Sequence, residues 1–555
     1  MNDRTKKVLK WVGIYAAISL ILFIVYYLTL PALNIYSKGF WVFLTFALFL
    51  YLLPQTGIGS LFSDMKEGKK APFKDKTKRP KLLLLALIPL ALMLVLSFFS
   101  SSMFFSRKYA SIITVKEADF ATEMPEAENV TNIALMDSET AAIVGNRTLG
   151  SLSDVISQFE LSSSYTQINY RNTPQKVANL EYAGFFKWLG NRGAGIPGYV
   201  MVDPVNNEAE YKSLSKTIRY AESGYFGDDL ARRLRFDYPT KIFGTARFEV
   251  DDAGNPVYVV PCMKPRVFLF GAMDVAEVII FDPTTGSSQI YDVENTPEWI
   301  DIVYDGDLAT QKYNWKGTLS GGFFNSIVGN KDCKRTTDDY GYIVLGDDVW
   351  YFTGVTSVNS DASNIGFIIT NARTGEYKFY PVIGAEEHSA MHAAEGEVQE
   401  KGYVASFPAL INVRGEATYI MVLKDSGGLV KLYAMVNVEN YSIVATGASQ
   451  EAAKEAYLKK LTEEGILTPE APKEPPLDLT ETHTGVIDSM TTVVSEGESY
   501  LYLRVTDAEG KTILVKARII DDETLLFLSV GDTVTVTALP TDKEGVYTLV
   551  KHQKQ

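Results

Sequence analysis

The apolar run from Lys81 to Phe105 constrains the fold more than any other part of the sequence. It reads KLLLLALIPLALMLVLSFFSSSMFF and carries no charge after Lys81. A helix of about 20 apolar residues is long enough to cross the roughly 30 Å hydrocarbon core of a bilayer. The run therefore predicts a transmembrane helix, and the 450 residues that follow it must lie on one side of the membrane.

Two further apolar runs, Val8–Leu30 and Phe40–Leu53, precede it. The second is short for a span, and we expect it to continue past Pro54. No small-residue cleavage pattern follows the first run, which indicates an uncleaved anchor and not a signal peptide. Residues 1–108 are therefore predicted to form a membrane anchor with three transmembrane helices.

The distribution of basic residues predicts the orientation of this anchor. The N-terminal tail and the loop between the second and third runs contain Arg4, Lys6, Lys7, Lys10, Lys66, Lys69, Lys70, Lys74, Lys76, Lys78, Arg79 and Lys81. The loop between the first and second runs contains only Lys38. Because basic loops stay in the cytoplasm, we expect a multi-pass plasma-membrane protein with a cytoplasmic N-terminus and an extracytoplasmic region after Phe105. The basic loop is expected to orient the spans and contact lipid headgroups.

The charge of the chain is divided unevenly. Residues 1–108 carry a net charge of +11, and the remaining residues carry −25. An acidic soluble region disfavours nucleic acid and anionic lipid as partners, because phosphate groups are bound by Lys and Arg. The two cysteines, Cys262 and Cys333, cannot form a structural zinc site by themselves, and their spacing does not establish a disulfide.

A recurring unit organises residues 109–461: an apolar strand, an Asp or Asn, a short turn and a second strand. Its five copies are Ile133–Val144, Tyr199–Lys212, Val278–Tyr291, Phe367–Tyr380 and Tyr433–Gly447. Asp or Asn followed by a turn residue tolerant of positive φ reverses the chain between strands. The irregular spacing of the copies argues against a solenoid with one fixed short period.

Further hairpins and helices fill the intervals between these copies. The hairpins are predicted at Ala246–Pro261, Gly341–Val355 and Ser406–Asp425. The helices are predicted at Ser151–Phe159, Gly227–Phe236, Pro297–Asp305, Ala385–Glu400 and Ser449–Leu461. Helices alternating with antiparallel hairpins indicate an extracytoplasmic α+β repeat region.

A proline-rich linker, residues 462–477, leads to a small last domain, residues 478–555. Its strands are predicted at His483–Val494, Ser499–Asp507, Lys511–Ile520, Asp532–Pro540 and Gly545–His552. Five such strands resemble an OB-fold barrel, a fold that often binds oligonucleotides or sugars. A net charge of −6 is unsuited to a nucleic-acid backbone, so a structural or protein-contact barrel is favoured.

Part of the repeat region resembles the PepSY domain. The resemblance covers Ala246–Val293 and Gly341–Tyr380 and is carried by Gly-x-Pro-x-Tyr and Asp-x-x-Thr-Gly patterns. The motif residues are Gly254, Pro256, Tyr258, Asp282, Thr285 and Gly286. This resemblance implies a small extracytoplasmic α+β domain that inhibits, chaperones or regulates another protein.

The wider region 110–460 is similar to a group of large bacterial membrane-anchored proteins without an assigned activity. The similarity is carried by Gly195–Asp203, Thr353–Glu376 and Leu429–Gly447. It implies a location in the bacterial cell envelope and implies no chemistry.

One helix carries a candidate metal site. His388 and His392 are four residues apart and share a helix face, which Glu395 continues. Two imidazoles and a carboxylate can bind Zn²⁺ and leave a position open for water. The alternative is a solvated helix face, because the pattern is not His-Glu-x-x-His.

These observations favour a non-enzymatic envelope protein that binds or regulates another envelope protein or a cell-wall polymer. The chain has no phosphate-binding Walker loop and no Gly-x-Ser-x-Gly motif. Trp299, Trp315 and Trp350 are expected in the core, with a sugar or peptide groove as the alternative. A metal-dependent hydrolase using His388, His392 and Glu395 is the enzymatic alternative. A transport or secretion component is a third. Polar intramembrane groups usually mark such pathways, whereas these runs contain no ionisable residue other than tyrosine beyond Lys10 and Lys81 near their starts.

Overall fold

The computed structural model describes residues 3–56, 80–127, 130, 133–358, 360–468, 480–495, 498–519, 522–541, 543 and 545–555. The chain divides into two compact units, Met1–Lys460 and Leu461–Gln555. Most of the basic loop, Lys66 to Arg79, and linker residues 469–477 lie outside the described residues.

Three apolar helices open the first unit, and each is long enough to cross a membrane: Arg4–Thr29, Lys38–Thr56 and Lys81–Phe99. The corresponding α-helices are α1 (Asp3–Thr29), α2 (Lys38–Leu52) and α3 (Ile88–Phe99). The third span ends at Phe99 and not at Phe105 as predicted. A new helix, α4 (Ser102–Ala110), begins beyond a break at Ser100 and Ser101.

The loop between α1 and α2 lies against the soluble part of the first unit. The backbone N–H of Leu33 donates to the carbonyl of Pro239 at 2.7 Å. The guanidinium of Arg235 donates to the carbonyl of Leu30 at 3.0 Å. These contacts place the loop between the first two spans and the soluble region at the same end of the helices.

Residues 134–460 contain four antiparallel sheets with one shared topology. In each sheet the first and second strands pair with one edge of a long third strand, one after the other along its length. The fourth and fifth strands then follow as a meander. A helix precedes each sheet, so the repeating unit is one helix and five strands.

The elements of the first two repeats are as follows. Repeat one contains α5 (Ser138–Gly150), β2 (Phe159–Leu161), β3 (Thr166–Tyr170), β4 (Thr173–Tyr182), β5 (Ile196–Asp203) and β6 (Glu208–Ile218), with the added helices Ser153–Ile156 and α6 (Phe185–Asn191). Repeat two contains α7 (Leu230–Asp237), β7 (Ile242–Phe243), β8 (Arg247–Val250), β9 (Pro256–Val267), β10 (Gly271–Phe281) and β11 (Ser288–Asp292).

The last two repeats follow the same order. Repeat three contains α8 (Gly306–Leu319), β12 (Lys334–Thr336), β13 (Gly341–Leu345), β14 (Asp348–Ser357), β15 (Ser360–Asn371) and β16 (Tyr377–Tyr380). Repeat four contains α9 (Glu387–Glu397), β17 (Val404–Ala405), β18 (Ala409–Val413), β19 (Glu416–Lys424), β20 (Val430–Asn437) and β21 (Val444–Gly447), followed by α10 (Gln450–Glu463). A short strand before repeat one, β1 (Val115–Glu117), adds to β16 in parallel.

The turn between the fourth and fifth strands carries the predicted Asp or Asn in every repeat. The four residues are Asp203, Asp282, Asn371 and Asn437. Each side-chain oxygen accepts at least one backbone N–H from the turn that follows. Four of the five predicted copies are therefore confirmed as hairpins, as are the three additional hairpins.

The remaining predicted copy, Ile133–Val144, is wrong: this segment does not form a hairpin. Its Asp137 caps α5 and accepts the backbone N–H of Thr140 at 2.8 Å, so the chain continues as a helix.

The predicted helix Pro297–Asp305 is also wrong. The N–H groups of Asp301 and Ile302 donate to the carboxylate of Glu249 instead, and the helix begins only at Gly306. The predicted helix Ser151–Phe159 shrinks to one turn.

The second strands of the repeats meet in pairs inside the first unit: β3 contacts β8, and β13 contacts β18. Strand β3 also contacts β14, the third strand of repeat three. One buried apolar cluster joins repeats one and two, with Trp188 and Val200 on one side and Tyr258 and Phe281 on the other. Cys262 and Cys333 are buried free thiols.

The second unit is a closed five-stranded barrel. Its strands follow the order β22 (Glu481–Ser495), β23 (Glu498–Thr506), β24 (Thr512–Arg518), β26 (Val546–Lys554) and β25 (Thr533–Pro540). Strands β24 and β26 pair in parallel, and the other neighbours are antiparallel. A separate apolar core, which includes Leu503, Val515 and Val536, fills it.

Candidate ligand-binding site

A cavity of 160 Å³ lies where repeats one, three and four meet. Repeat one contributes Gln167 and Lys176, and the N-terminal end of α5 contributes Asp137. Tyr342 from repeat three and Phe407 from repeat four form an aromatic wall. The cavity thus depends on the packing of elements far apart in the sequence.

A second cavity of 240 Å³ adjoins the first, and both are lined by Ala134, Gln167 and Tyr342. Most other residues around it are apolar: Met124, Pro125, Ala127, Ile133, Pro174, Ile343, Val344, Leu345, Leu410 and Ile411. A ligand that enters both cavities would place a polar group in the first and an apolar group in the second.

Lys176 is the charged group that distinguishes the first cavity. It lies in β4, opposite Gln167 of β3 and Val202 of β5, and only 4% of its surface is exposed. Its ammonium lies 5.4 Å from the centre of the Tyr342 ring. In the described part of the chain no residue accepts a hydrogen bond from this ammonium or forms an ion pair with it. A buried charge without a partner is costly.

The nearest carboxylate, Asp137, is already occupied. Its Oδ1 accepts the N–H of Thr140, and its Oδ2 lies 2.5 Å from the Nζ of Lys424. Burial opposes ionisation of Asp137, but the hydrogen bonds from Lys424 and Thr140 outweigh it and lower the pKa of this carboxyl. Burial lowers the pKa of Lys176 to about 8, and the charge of Asp137 offsets only part of that effect.

Gln167 contributes a second unsatisfied group. Its Nε2 donates to the carbonyls of Ile168 and Gln175, whereas its buried Oε1 accepts no hydrogen bond. The first cavity therefore presents a free cation and a free acceptor to whatever occupies it. An anionic group beside Lys176 would supply the missing countercharge.

The predicted metal residues lie elsewhere, on α9. His388 Nε2 is 3.6 Å from Asp339 Oδ2, and His392 is exposed. Glu395 accepts the backbone N–H of Ala405 at 2.9 Å. Among the described residues, no three His, Cys, Asp or Glu side chains converge on a point that could hold a metal ion. The helical spacing is present, but the structure does not assemble these three residues into a ligand set.

Sequence patterns did not single out Lys176 or the buried acids. Glu249 and Asp301 are both buried, and Asp301 accepts the N–H of Asn169 at 2.9 Å. Burial raises the pKa of Glu249 well above its usual range, and the negative charge of Asp301 adds to that effect. Burial also raises the pKa of Asp301 to about 7. A single polar residue inside a strand resembles a solvent-facing position, so only the partner sheets reveal its burial.

Comparisons with known proteins identify no family. No protein-family model matches the sequence, and no curated protein matches it. The structure of yeast Stn1 and Ten1 is 16% identical over 14% of this chain and 42% of that chain, with a TM-score of 0.12. This chain therefore spans less than half the length of that match.

Two other solved structures give equally low scores. The mitochondrial single-stranded DNA binding protein Rim1 of S. cerevisiae is 15% identical over 14% of this chain and 92% of that chain, with a TM-score of 0.13. A Trypanosoma rangeli sialidase is 9% identical over 71% of this chain and 54% of that chain, with a TM-score of 0.16. Scores this low support no conclusion about fold or function.

Proposed function

We propose that this chain is a membrane-anchored protein of the bacterial cell envelope that binds a carboxylate or phosphate group of a cell-wall polymer, without catalysis. The unpaired ammonium of Lys176 carries the proposal. A cavity of 160 Å³ has room for one small group, and a carboxylate or phosphate group carried by a cell-wall polymer is of that size.

The proposed location rests on two observations. The three apolar spans and the excess of Lys and Arg in the N-terminal tail and basic loop support a cytoplasmic basic loop with the repeats on the other side. The contact of Leu33 with Pro239 agrees with that arrangement, because a three-span anchor puts the first loop and the soluble region on the same side. The PepSY-like and OB-like resemblances would assign regulatory and contact roles to the repeats and to the barrel.

Anion binding tests the proposed site. Detergent-solubilised full-length protein is titrated with acetate, inorganic phosphate or glucose while its thermal unfolding is followed. We expect at least one anion, and not glucose, to raise the unfolding temperature. Lys176→Met should abolish that rise. The matched control Lys116→Met should retain it, because the Lys116 side chain is 68% exposed. An unchanged rise in Lys176→Met, or no rise in the native protein, would contradict the proposal.

Thiol labelling tests the orientation. Native Cys262 and Cys333 are buried, so a membrane-impermeant maleimide should label the native protein in intact cells poorly. We expect Ser111→Cys to be labelled from outside and Lys69→Cys only after the membrane is permeabilised. The reverse pattern would place the repeats in the cytoplasm.

A further inference from the structure

We propose that the repeat region rests on the bilayer through three exposed apolar tips that insert into the lipid around the spans. The first tip comprises Phe185, Phe186 and Leu189 of α6 together with Phe226. The second is Phe268, and the third comprises Phe324, Ile327 and Val328. All eight side chains are more than a third exposed, which is unusual for clustered large apolar residues.

The first tip is built on a buried tryptophan. Trp188 is buried, and its ring lies 5.4 Å from that of Tyr225 and 5.7 Å from that of Phe226. Phe186 contacts the Phe185 ring at 5.5 Å and is 82% exposed. The arrangement resembles an interfacial helix, with an anchored base and an apolar face left uncovered.

Contacts with α1 fix the height of this tip relative to the membrane. Arg232 donates to the carbonyl of Phe226 at 2.7 Å, and its guanidinium lies 4.3 Å from the centre of the Tyr27 ring. The ring of Phe236, in the same helix as Arg232, lies 5.9 Å from that of Tyr26. Tyr26 and Tyr27 occupy the last turn of the first span, where aromatic residues mark the membrane interface.

The second tip is tied to the end of the third span. Phe268 lies in the turn between β9 and β10, and its ring stacks on that of Phe105 at 6.2 Å. The N–H of Phe270 donates to the hydroxyl of Ser100, the residue that follows α3, at 3.2 Å. Phe268 has a positive φ of 51°, which is unfavourable for a bulky residue. The turn holds this side chain outward beside the span despite that cost.

The third tip follows α8 directly. Leu319, at the end of α8, packs in a cluster with Tyr109 and Ala110 of α4 and with Phe105. The chain then presents Val328, 81% exposed, together with Phe324 and Ile327. The second and third tips thus share a base at Phe105, a few residues beyond the third span.

Lipid is the occupant that these positions favour. The second tip contacts Phe105 and Ser100 directly. The first tip is linked to Tyr27 through Arg232, and the third is linked to α4 through Leu319. All three therefore lie close in the structure to the ends of the spans, where the surrounding solvent changes from water to lipid. The net charge of −25 after residue 108 disfavours an electrostatic contact with anionic lipid. Insertion of apolar side chains does not require such attraction, so a zwitterionic bilayer suffices.

The test uses the full-length protein in phosphatidylcholine vesicles. Single variants Phe186→Cys, Phe268→Cys and Val328→Cys are labelled with an environment-sensitive fluorophore, and a lipid-attached quencher is added. Tyr441→Cys, in the turn before β21, is the control at an exposed aromatic residue. The native protein, with its buried cysteines, gives the background labelling.

We expect blue-shifted emission and at least twofold quenching by the lipid quencher at all three tips, and neither effect at position 441. Emission at the tips matching that of the control would overturn the proposal. A blue shift that the lipid quencher leaves intact and that disappears on dilution of the protein in the bilayer would also overturn it, because a second copy would then cover the tips. The readout is independent of Lys176 and of any bound anion.

Discussion

Asp137 and Lys424 are 287 residues apart in the chain, yet Lys424 Nζ lies 2.5 Å from Asp137 Oδ2. This ion pair joins the N-terminus of α5 in repeat one to β19 in repeat four. Because Lys424 holds the Asp137 carboxylate, Lys176 forms no ion pair within the described residues, and the charge of Asp137 offsets only part of the effect of its burial. The Asp137–Lys424 ion pair therefore has two effects. It links repeat one to repeat four, and it leaves the ammonium of Lys176 unpaired in the first cavity.

Removal of Lys424 should destabilise the protein through Asp137. We expect Lys424→Met to lower the free energy of unfolding by about 1–3 kcal/mol at pH 7, since a partly buried carboxylate loses its partner. The pKa of Asp137 is depressed in the folded protein, so its stabilising effect is present at neutral pH and is lost as the pH falls below about 4.

Urea denaturation at pH 7 and pH 3.5 measures this difference. The control Lys431→Met breaks the more exposed pair with Asp425 and should cost less than about 1 kcal/mol. Equal losses in the two variants, or a loss in Lys424→Met that does not decrease between pH 7 and pH 3.5, would contradict the interpretation.

Lys176 should destabilise the ligand-free protein. Its pKa is lowered from 10.5 to about 8, so the folded state disfavours the charged form. Lys176→Met should raise the free energy of unfolding on the order of 2–3 kcal/mol at pH 7. The native protein should gain stability as the pH rises from 8 towards 10.5, and the advantage of the variant should shrink over that window.

Thermal unfolding of Lys176→Met and Lys116→Met at pH 7 and pH 10 tests this pH dependence. A variant that is less stable than the native protein at pH 7 would show that Lys176 holds the core together and is not a ligand-binding group.

Asp301 should make the protein less stable as the pH rises. Its pKa is raised from 3.8 to about 7, so the unfolded state ionises first. The neutral carboxylic acid of Asp301 stabilises the folded state. Its contribution to the free energy of unfolding is complete below pH 3.8 and is lost as the pH rises through 7. Asp301→Asn keeps an acceptor for the N–H of Asn169 but cannot ionise. We expect this variant to lose less stability than the native protein as the pH rises.

Urea midpoints at pH 5 and pH 7.5 measure the effect, with Glu210→Gln as a control at an exposed carboxylate. The increase in urea midpoint of Asp301→Asn over the native protein should be larger at pH 7.5 than at pH 5. An increase that is the same at both pH values would exclude Asp301 as the titrating group.

The repeated turns should respond alike to the same substitution. Asn371 and Asn437 are both buried, and both accept backbone N–H groups of their turns. We expect Asn371→Ala and Asn437→Ala each to lower the free energy of unfolding, measured by urea denaturation, by about 1–3 kcal/mol. Asp203→Ala should cost less, because Asp203 is more exposed. A cost confined to one repeat would show that the turns are not equivalent.

The hairpins were predictable because their signals are local. An Asp or Asn that accepts the next backbone N–H groups, as Asp282 does, reverses the chain wherever apolar strands flank it. Asp137 has the same sequence context but caps a helix, and only the residues after it decide between the two outcomes. The shared topology of the four sheets was not predictable, since the first strands contain as few as two residues.

The candidate site depends on contacts between repeats, which no single segment specifies. Lys176 and Tyr342 lie in different sheets, and their distance follows from how those sheets pack. The predicted helix Pro297–Asp305 failed for a related reason. Glu249, more than fifty residues before Asp301 and Ile302, accepts the N–H groups that a helix would have used.

In each repeat the first and second strands together form one interrupted sheet edge, and this interruption also affects aggregation. An uninterrupted edge strand offers unpaired N–H and C=O groups as a template for another chain. Here that edge is divided in every repeat into two pieces, and the longest pieces, β3, β13 and β18, have five residues each. The second pieces pack against one another inside the first unit, so only the first pieces, of two or three residues each, are left for a neighbouring molecule to extend. Fusing β7 and β8 into one straight strand would be expected to promote fibril-like self-association.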